Sequence, residues 1–315
     1  MPVYSIIVPC YNEEAVLHET HKRLTQVMQK MDGDYEIVYV NDGSRDKTPV
    51  MLNDLVKNDP CVRVVHFARN AGHQIAVTAG LDYASGDDIV IIDADLQDPP
   101  EVIPEMAKKW RAGAQVVYGQ RKHREGETFF KKLTAHVYYR LLQAMTNVDI
   151  PADTGDFRLV DKQVADVVRS MPEHARYLRG MFAWAGFKQE PLLYDRDKRF
   201  AGETHYPLKK MIKLALDGMI SFSDRLVKII TVLGILSLVL GGGMAFVLLI
   251  LLCTGTASAA WWLADLMILC TGVILTSLGI LGAYIDRIYD ETRARPLYIV
   301  AESRGFPAEH KPFSR

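Results

Sequence analysis

Short apolar runs alternate with longer amphipathic stretches along residues 1–120 of the chain. The runs have the length of buried strands, and the stretches between them carry apolar residues at helical spacing. The predicted strands are 4–9, 35–40, 63–67, 89–93 and 115–118, and the predicted helices end near Met31, Asn58, Ala84 and Arg111. Strands that alternate with helices of this length predict an α/β domain with a mostly parallel sheet and right-handed crossovers.

Polar side chains collect directly after four of the predicted strands. In chain order they are Tyr11, Asn12, Glu13, Asp42, Ser44, Arg69, Asn70, Asp93, Asp95 and Gln97. Each loop alone is ordinary turn chemistry. Four such loops at the carboxyl edge of one sheet predict a nucleotide pocket. The sequence has no Gly-x-Gly-x-x-Gly after the first strand and no Gly-Lys-Ser/Thr loop, so dinucleotide dehydrogenases and P-loop NTPases are poor fits.

Two carboxylates end the fourth apolar run, at Asp93 and Asp95. Alternate residues of a strand point the same way, so both can face one ion. Hard divalent cations prefer carboxylate oxygens and share themselves with phosphates. For Asp98 the sequence predicts a helix N-cap instead, because Pro99 and Glu101 follow it at the spacing of a first helical turn and a capping box. The pattern predicts a metal site at Asp93 and Asp95 and a structural role for Asp98.

Two long apolar stretches lie near the other end of the chain. Residues 229–252 carry no charge, and residues 262–284 carry only Asp265. Each exceeds the roughly 20 residues that cross a bilayer as a helix, although a buried soluble hairpin is the alternative. The turn between them lacks Lys and Arg while both flanks are basic. We therefore expect a two-helix transmembrane hairpin, integral to the cell (inner or plasma) membrane, with the N-terminal domain and both termini cytoplasmic.

The segments around the hairpin complete the predicted domain organisation. Residues 1–205 form the α/β domain, 206–228 interfacial amphipathic helices, 229–284 the hairpin and 285–315 a tail. Lysines at one end of the 206–228 segment suit anionic lipid heads, and packing on the α/β domain is the alternative. In the tail, the strand-like run 297–300 fits strand addition to another protomer, and hence a homo-oligomer. A net charge of −1 over 315 residues argues against a nucleic-acid partner.

Four motifs together carry a family resemblance. They are Ser-Ile-Ile-Val-Pro-Cys-Tyr-Asn-Glu-Glu at 5–14, Val-Asn-Asp-Gly-Ser at 40–44, Asp-Ala-Asp-Leu-Gln-Asp-Pro at 93–99 and Gly-Asp-Phe-Arg at 155–158. The chain resembles the family 2 inverting glycosyltransferases of GT-A fold, a Rossmann-like α/β arrangement. Within them it is similar to the polyprenyl-phosphate glycosyltransferases, relatives of dolichyl-phosphate mannose synthase. The Gln-x-x-Arg-Trp motif of processive synthases is absent from the sequence, which favours single sugar transfer.

The resemblance implies a nucleotide diphosphate sugar as donor. Its binding falls to Pro9, Tyr11, Asn12, Glu13, Asp42, Asp93, Arg199 and His205. Asp93, Asp95 and Gln97 would ligate Mg²⁺ or Mn²⁺ on the diphosphate. His205 stands where relatives more often carry lysine, and a neutral imidazole is the weaker phosphate ligand.

The resemblance also implies an acceptor side. Its catalytic residues are Asp95, Arg121 for the acceptor phosphate, and Asp156 at the position of the candidate base, with Asp153 as the alternative. A lipid phosphate is already anionic, so Asp156 either accepts a proton or orients the acceptor or the sugar. Arg158 is a possible partner that keeps Asp156 charged.

The implied reaction is inverting transfer of one sugar, from UDP-glucose or UDP-N-acetylglucosamine, to undecaprenyl or another polyprenyl phosphate. One alternative is a GDP-mannose-dependent enzyme of the dolichyl-phosphate mannose synthase type. Another is a glycolipid synthase whose neutral diacylglycerol hydroxyl would require a base. A catalytically silent membrane module that binds nucleotide sugars is the alternative from another class.

Overall fold

The computed structural model describes residues 3–121, 154–195, 259–308, 310, 312 and 313. They fall into two compact units. Residues 3–121, 154–195 and those from 296 onward belong to the first unit, and residues 259–295 to the second.

The first unit is an α/β domain built on one eight-stranded sheet. Its strands are β1 (Tyr4–Cys10), β2 (Tyr35–Asn41), β3 (Val62–Phe67), β4 (Asp88–Ile91), β5 (Val116–Arg121), β6 (Thr154–Asp161), β7 (Gln189–Tyr194) and β8 (Val300–Arg304). Its helices are α1 (Leu17–Met28), α2 (Thr48–Asn58), α3 (His73–Tyr83), α4 (Ile103–Arg111), α5 (Lys162–Ser170) and α6 (Leu178–Trp184).

The strand order is β7-β5-β6-β4-β1-β2-β3-β8. Strands β4, β1, β2 and β3 run parallel, and so do β5 and β7. Strand β6 lies antiparallel between β4 and β5, and β8 lies antiparallel to β3. The predicted α/β class with a mostly parallel sheet is confirmed.

The core forms where helices cover the central strands. Every residue of β1 is buried, as expected for a strand with neighbours on both edges and layers on both faces. Helix α3 packs so closely on β1 that a Cβ at Gly80 would lie 2.2 Å from Cγ2 of Ile7. Only glycine allows this approach.

The predicted cap before α4 is wrong. Pro100–Val102 form a 3-10 turn ahead of α4, and no side chain caps either element. The carboxylate of Asp98 is buried and accepts the hydroxyl of Tyr194, while Glu101 forms an ion pair with Arg23 at 2.6 Å. Tertiary partners thus take both acids that the capping box would have used.

The predicted integral membrane localisation is also wrong. The first predicted span, 229–252, and the segment 206–228 lie outside the described residues. The second, 262–284, lies within α7 (Ala259–Thr292) of the second unit. A span must combine length with apolarity, and no helix among the described residues does so sufficiently to cross a membrane. The orientation inferred from the hairpin loses its basis with it.

The last strand completes the sheet of its own chain. The sequence predicts that residues 297–300 pair with another protomer, whereas in the structure β8 begins at Val300 and pairs with β3. Its register places Arg304 opposite Val64 and Glu302 opposite His66. Strand β8 thereby satisfies backbone groups that β3 would otherwise leave open at the edge.

Candidate active site at the carboxyl edge of the sheet

A cavity of about 480 Å³ opens at the carboxyl ends of β1, β2 and β3. It is lined by Tyr11, Asn41, Gly43, Ser44, Arg45, Pro49, His66, Phe67, Ala68, Arg69 and Asn70. This is the edge where the sequence places a nucleotide pocket, and Tyr11 of the predicted nucleotide residues lies in its wall. The predicted Pro9 is buried within β1, in register with Val40 of β2.

Hydrogen bonds join the loop after β1 to the loop after β2. The backbone N–H of Asn12 donates to Oγ of Ser44 at 3.0 Å, and Oδ1 of Asn12 accepts from the backbone N–H of Arg45 at 2.9 Å. The backbone N–H of Glu13 donates to Oγ1 of Thr48 at 2.9 Å. Asn12 has a φ of 57°, a conformation that asparagine tolerates better than most residues. These contacts fix one rim of the cavity.

Asp42 fixes the opposite rim. Its buried carboxylate accepts the backbone N–H groups of Ala71 at 2.6 Å and Gly72 at 2.9 Å. Its backbone carbonyl accepts from the side-chain amide of Asn70 at 3.1 Å. Burial raises the pKa of Asp42, and the two backbone donors oppose that rise. Asp42, which the sequence analysis assigns to the nucleoside, therefore holds the loop between β3 and α3 in the structure.

The predicted metal ligands lie just beyond β4. Oδ1 of Asp93 is buried and has no hydrogen-bond partner among the described residues, and it lies 3.6 Å from Nε2 of His73. Oδ1 of Asp95 accepts the backbone N–H of Gln97 at 3.1 Å. Burial raises the pKa of Asp93, and His73 opposes the rise.

These oxygens fit a hard divalent cation that takes further ligands from a phosphate. An orphaned carboxylate oxygen at Asp93 is the feature that such an ion would satisfy. Within the described part of the chain, no three His, Cys, Asp or Glu side chains gather closely enough to hold a metal ion. The described residues by themselves thus offer an incomplete ligand set.

Asp156, on β6, is held by three side chains. Oδ1 accepts from Nε of Arg179 at 2.7 Å, and Oδ2 accepts from Nε2 of His73 at 3.1 Å and from Nε2 of Gln74 at 3.2 Å. Burial by itself raises the pKa of Asp156, but Arg179 and His73 outweigh it and hold the pKa well below its usual range. The carboxylate is ionised and its lone pairs are directed at fixed donors.

Arg158 is not the partner of that carboxylate. Its guanidinium donates to the backbone carbonyl of Gly155 at 3.0 Å and to that of Asp156 at 3.4 Å. It also lies over the ring of Phe182, 4.9 Å from the centroid. The arginine that pairs with this carboxylate is Arg179, the second residue of α6.

His73 connects Asp93, in the loop after β4, to Asp156 on β6. Burial lowers its pKa, but Asp93 and Asp156 together raise it to about 9. The imidazolium therefore lies between two carboxylates. Its neighbour Gln74 joins Asp156 to α6, since Nε2 of Gln74 donates to Asp156 and Oε1 accepts the backbone N–H of Leu178 at 3.1 Å.

Sequence reasoning missed His73, Gln74 and Arg179. The first two follow β3 at the same sheet edge as the predicted loops. Ligands of open α/β sheets bind at the carboxyl ends of the strands, and this position alone could have pointed to His73 and Gln74. Arg179 lies in a helix and carries no local pattern. Of the other predicted residues, Arg121 is the last residue of β5, in register with Tyr194 of β7. Asp153, Arg199 and His205 lie outside the described residues.

Comparisons with known proteins identify relatives of this chain. Residues 5–169 match the family model of Glycosyl transferase family 2. The uncharacterised glycosyltransferase YkcC of Bacillus subtilis is 51% identical over 304 residues, which cover 96% of this chain and 94% of the relative. A prophage bactoprenol glucosyl transferase homolog of Escherichia coli is 37% identical over 302 residues, covering 94% of this chain and 97% of the relative.

A solved structure aligns with part of the chain. Glucosyl-3-phosphoglycerate synthase from Mycobacterium tuberculosis, in complex with Mn²⁺, UDP-glucose and glycerol 3-phosphate, is 21% identical. The alignment covers 68% of this chain and 76% of that chain, with a TM-score of 0.46.

Proposed function

The chain belongs to glycosyl transferase family 2 and is a glycosyltransferase, and from this premise we propose that it transfers one glucose from UDP-glucose to a polyprenyl phosphate. A phosphate oxygen of the acceptor attacks the anomeric carbon and forms the new C–O bond. The bond from that carbon to the nucleoside diphosphate breaks, its electron pair leaves with the diphosphate, and the configuration inverts. The relative named for bactoprenol glucosyl transfer supports this sugar and this acceptor.

The observation that carries the proposal is the environment of Asp156. A neutral hydroxyl acceptor needs a base whose pKa lies near the working pH. The contacts of Asp156 with Arg179, His73 and Gln74 favour its ionised form and leave it a poor base. A phosphate monoester near neutral pH is already anionic and needs no base. The site therefore favours a lipid phosphate over diacylglycerol, with Asp156 orienting the acceptor or the sugar.

The remaining residues divide between donor and ion. The 480 Å³ cavity has the size of a small-ligand pocket, and we assign it to the nucleoside, with Tyr11 in its wall and Asp42 holding the loop beside it. Asp93 and Asp95 would hold Mg²⁺ or Mn²⁺ on the diphosphate, together with Gln97. When bound, such an ion offsets charge that builds on the leaving diphosphate. His73 contacts both Asp93, in the loop after β4, and Asp156, on β6, and so fixes the distance between them.

The test uses purified full-length protein with Mn²⁺ and labelled UDP-glucose, UDP-N-acetylglucosamine or GDP-mannose in separate reactions. Each donor is offered undecaprenyl phosphate or diacylglycerol, and label in the organic phase is counted. We expect product from UDP-glucose with undecaprenyl phosphate, abolished in Asp95→Asn and retained in Asp32→Asn, an exposed acid remote from the site.

Three results would contradict the proposal. Product with diacylglycerol instead of the lipid phosphate would restore Asp156 as a required base. Product from GDP-mannose alone would favour an enzyme of the dolichyl-phosphate mannose synthase type. Nucleotide binding without turnover on either acceptor would favour a silent binding module.

A further inference from the structure

Residues 297–306, which we call the C-terminal strap, pack along β3 and α3 of the α/β unit. The strap contains β8, whose pairing with β3 runs from Arg304 opposite Val64 to Val300 opposite Phe67. The register shifts between His66 and Phe67, which is where β3 reaches the cavity wall. The strap thus lies along the outer side of the strand that contributes His66 and Phe67 to the cavity.

Two contacts of the strap fall directly on cavity-lining residues. The ring of Tyr298 stacks on Phe67, with centroids 5.1 Å apart and planes at 9°. The carbonyl of Ile299 accepts the backbone N–H of Ala68 at 2.9 Å. Phe67 and Ala68 both line the cavity. The strap therefore contacts two consecutive residues of the cavity wall, Phe67 through its ring and Ala68 through its backbone.

The strap is itself anchored away from the cavity. The hydroxyl of Tyr298 donates to Oδ2 of Asp82 on α3 at 2.9 Å. The ring of Phe306 lies 5.1 Å from that of Tyr83. Gly305 has a φ of 81°, and a Cβ there would lie 2.5 Å from the carbonyl oxygen of Val62. These contacts fix the strap at α3 and at the start of β3.

The loop between β3 and α3 is consequently held at both ends. Asp42 binds the N–H groups of Ala71 and Gly72 at one end, and the strap binds Phe67 and Ala68 at the other. Arg69 and Asn70 lie between these points and line the cavity. Any movement of the strap at Tyr298 shifts the first fixed point of this loop.

We propose that the C-terminal strap positions the wall of the donor cavity, and that Tyr298 is the positioning residue through its stack on Phe67. The proposal rests on the nucleotide occupying the 480 Å³ cavity, as the proposed function has it. It gives the C-terminal strap a role in donor affinity, although Tyr298 does not line the cavity.

The test compares Tyr298→Ala with Tyr298→Phe in the full-length protein. Phenylalanine keeps the stacked ring and loses only the hydrogen bond to Asp82, whereas alanine loses both. We expect Tyr298→Ala to weaken binding of UDP with Mn²⁺, measured calorimetrically, by roughly three- to tenfold, the range expected from one aromatic pair. The turnover number at saturating donor stays within about twofold. Tyr298→Phe and the control Tyr289→Ala, which alters an exposed tyrosine of α7, keep the original affinity.

An unchanged affinity for UDP in Tyr298→Ala overturns the proposal, whatever happens to the melting temperature. Because coupling between two sites is reciprocal, a second measurement needs no variant. UDP with Mn²⁺ should slow amide hydrogen exchange in β8 and at Ala68 of the unmodified protein, and not in β7. Absence of that protection overturns the proposal even if the variant fails to fold. Failure of the unmodified protein to bind UDP overturns the proposed function and this inference with it.

Discussion

Asp88 is a buried carboxyl whose removal should stabilise the protein. It is the first residue of β4, at the opposite end of that strand from Asp93, and is fully buried. Neither carboxyl oxygen has a hydrogen-bond partner among the described residues. Burial raises its pKa, the facing carboxylate of Asp161 adds to the rise and Arg111 opposes it, so that the pKa lies at about 8. We expect Asp88→Asn to increase the free energy of unfolding at neutral pH.

The sign and size follow from the shift. The unfolded chain releases this proton near pH 3.8 and the folded chain near pH 8, so between these values the folded state binds more protons and stability falls as pH rises. At about 1.4 kcal/mol per pKa unit, the cost to the wild-type chain at pH 7 is at most about 4 kcal/mol. A buried Asn amide without partners costs about 1–3 kcal/mol. A net gain of about 1–3 kcal/mol is expected.

The assay is urea unfolding of both proteins at pH 5 and pH 8. The stability advantage of Asp88→Asn should grow between these pH values, by at most about 4 kcal/mol. Asp87→Asn is the matched control, because Asp87 is exposed and only 3.6 Å from the Lys162 ammonium; it should show no such growth. An advantage of equal size at pH 5 and pH 8 would refute the reasoning. If Asp88 is neutral in the folded state and ionised in the unfolded state, the advantage of Asp88→Asn must grow with pH.

Three further changes probe packing and the site. Gly80→Ala, which ordinarily stabilises a helix, should lower the free energy of unfolding by about 1–3 kcal/mol in urea titrations, since the new Cβ meets Ile7; a stabilised variant would contradict the packing. Arg179→Lys keeps the charge but loses the rigid guanidinium, so the turnover number should fall about tenfold while the UDP affinity measured by calorimetry stays unchanged. An unchanged turnover number would show that Asp156 does not need Arg179 for its role. Asp93→Asn should weaken Mn²⁺ binding in the presence of UDP by at least about tenfold, measured by electron paramagnetic resonance, and undiminished binding would remove Asp93 from the ligand set.

The sequence revealed those parts of the fold that depend on neighbouring residues. The run that ends at Asp93 is apolar because β4 is buried, and loops after parallel strands meet at one edge whatever their sequence. For that reason the sequence alone predicts the loops that carry Tyr11, Asp42 and Asp95. The insertion of β6 between β4 and β5 depends on pairing over long sequence separation, which no local pattern records.

The same limit explains the missed site residues. Asp156 meets His73 across 83 positions and Arg179 across 23, so the carboxylate and its partners share no motif. The predicted partner Arg158 is only two positions from Asp156 in sequence. Its guanidinium nevertheless donates to the backbone carbonyls of Gly155 and Asp156 rather than to the Asp156 carboxylate. Asp98 shows a tertiary contact overriding a local rule, because the hydroxyl of Tyr194 replaces the expected capping bond.

The outermost described strands of the sheet affect how strongly the protein resists aggregation at high concentration. An open strand edge invites pairing with other chains and, from there, aggregation. On one side β7 carries Pro191, which has no N–H to offer a neighbour. On the other, β8 presents Glu302 and Arg304, joined by an ion pair at 2.8 Å. By closing β3 with a charged strand, the chain replaces an apolar edge, Val-Arg-Val-Val-His-Phe, with one that discourages stacking into fibres.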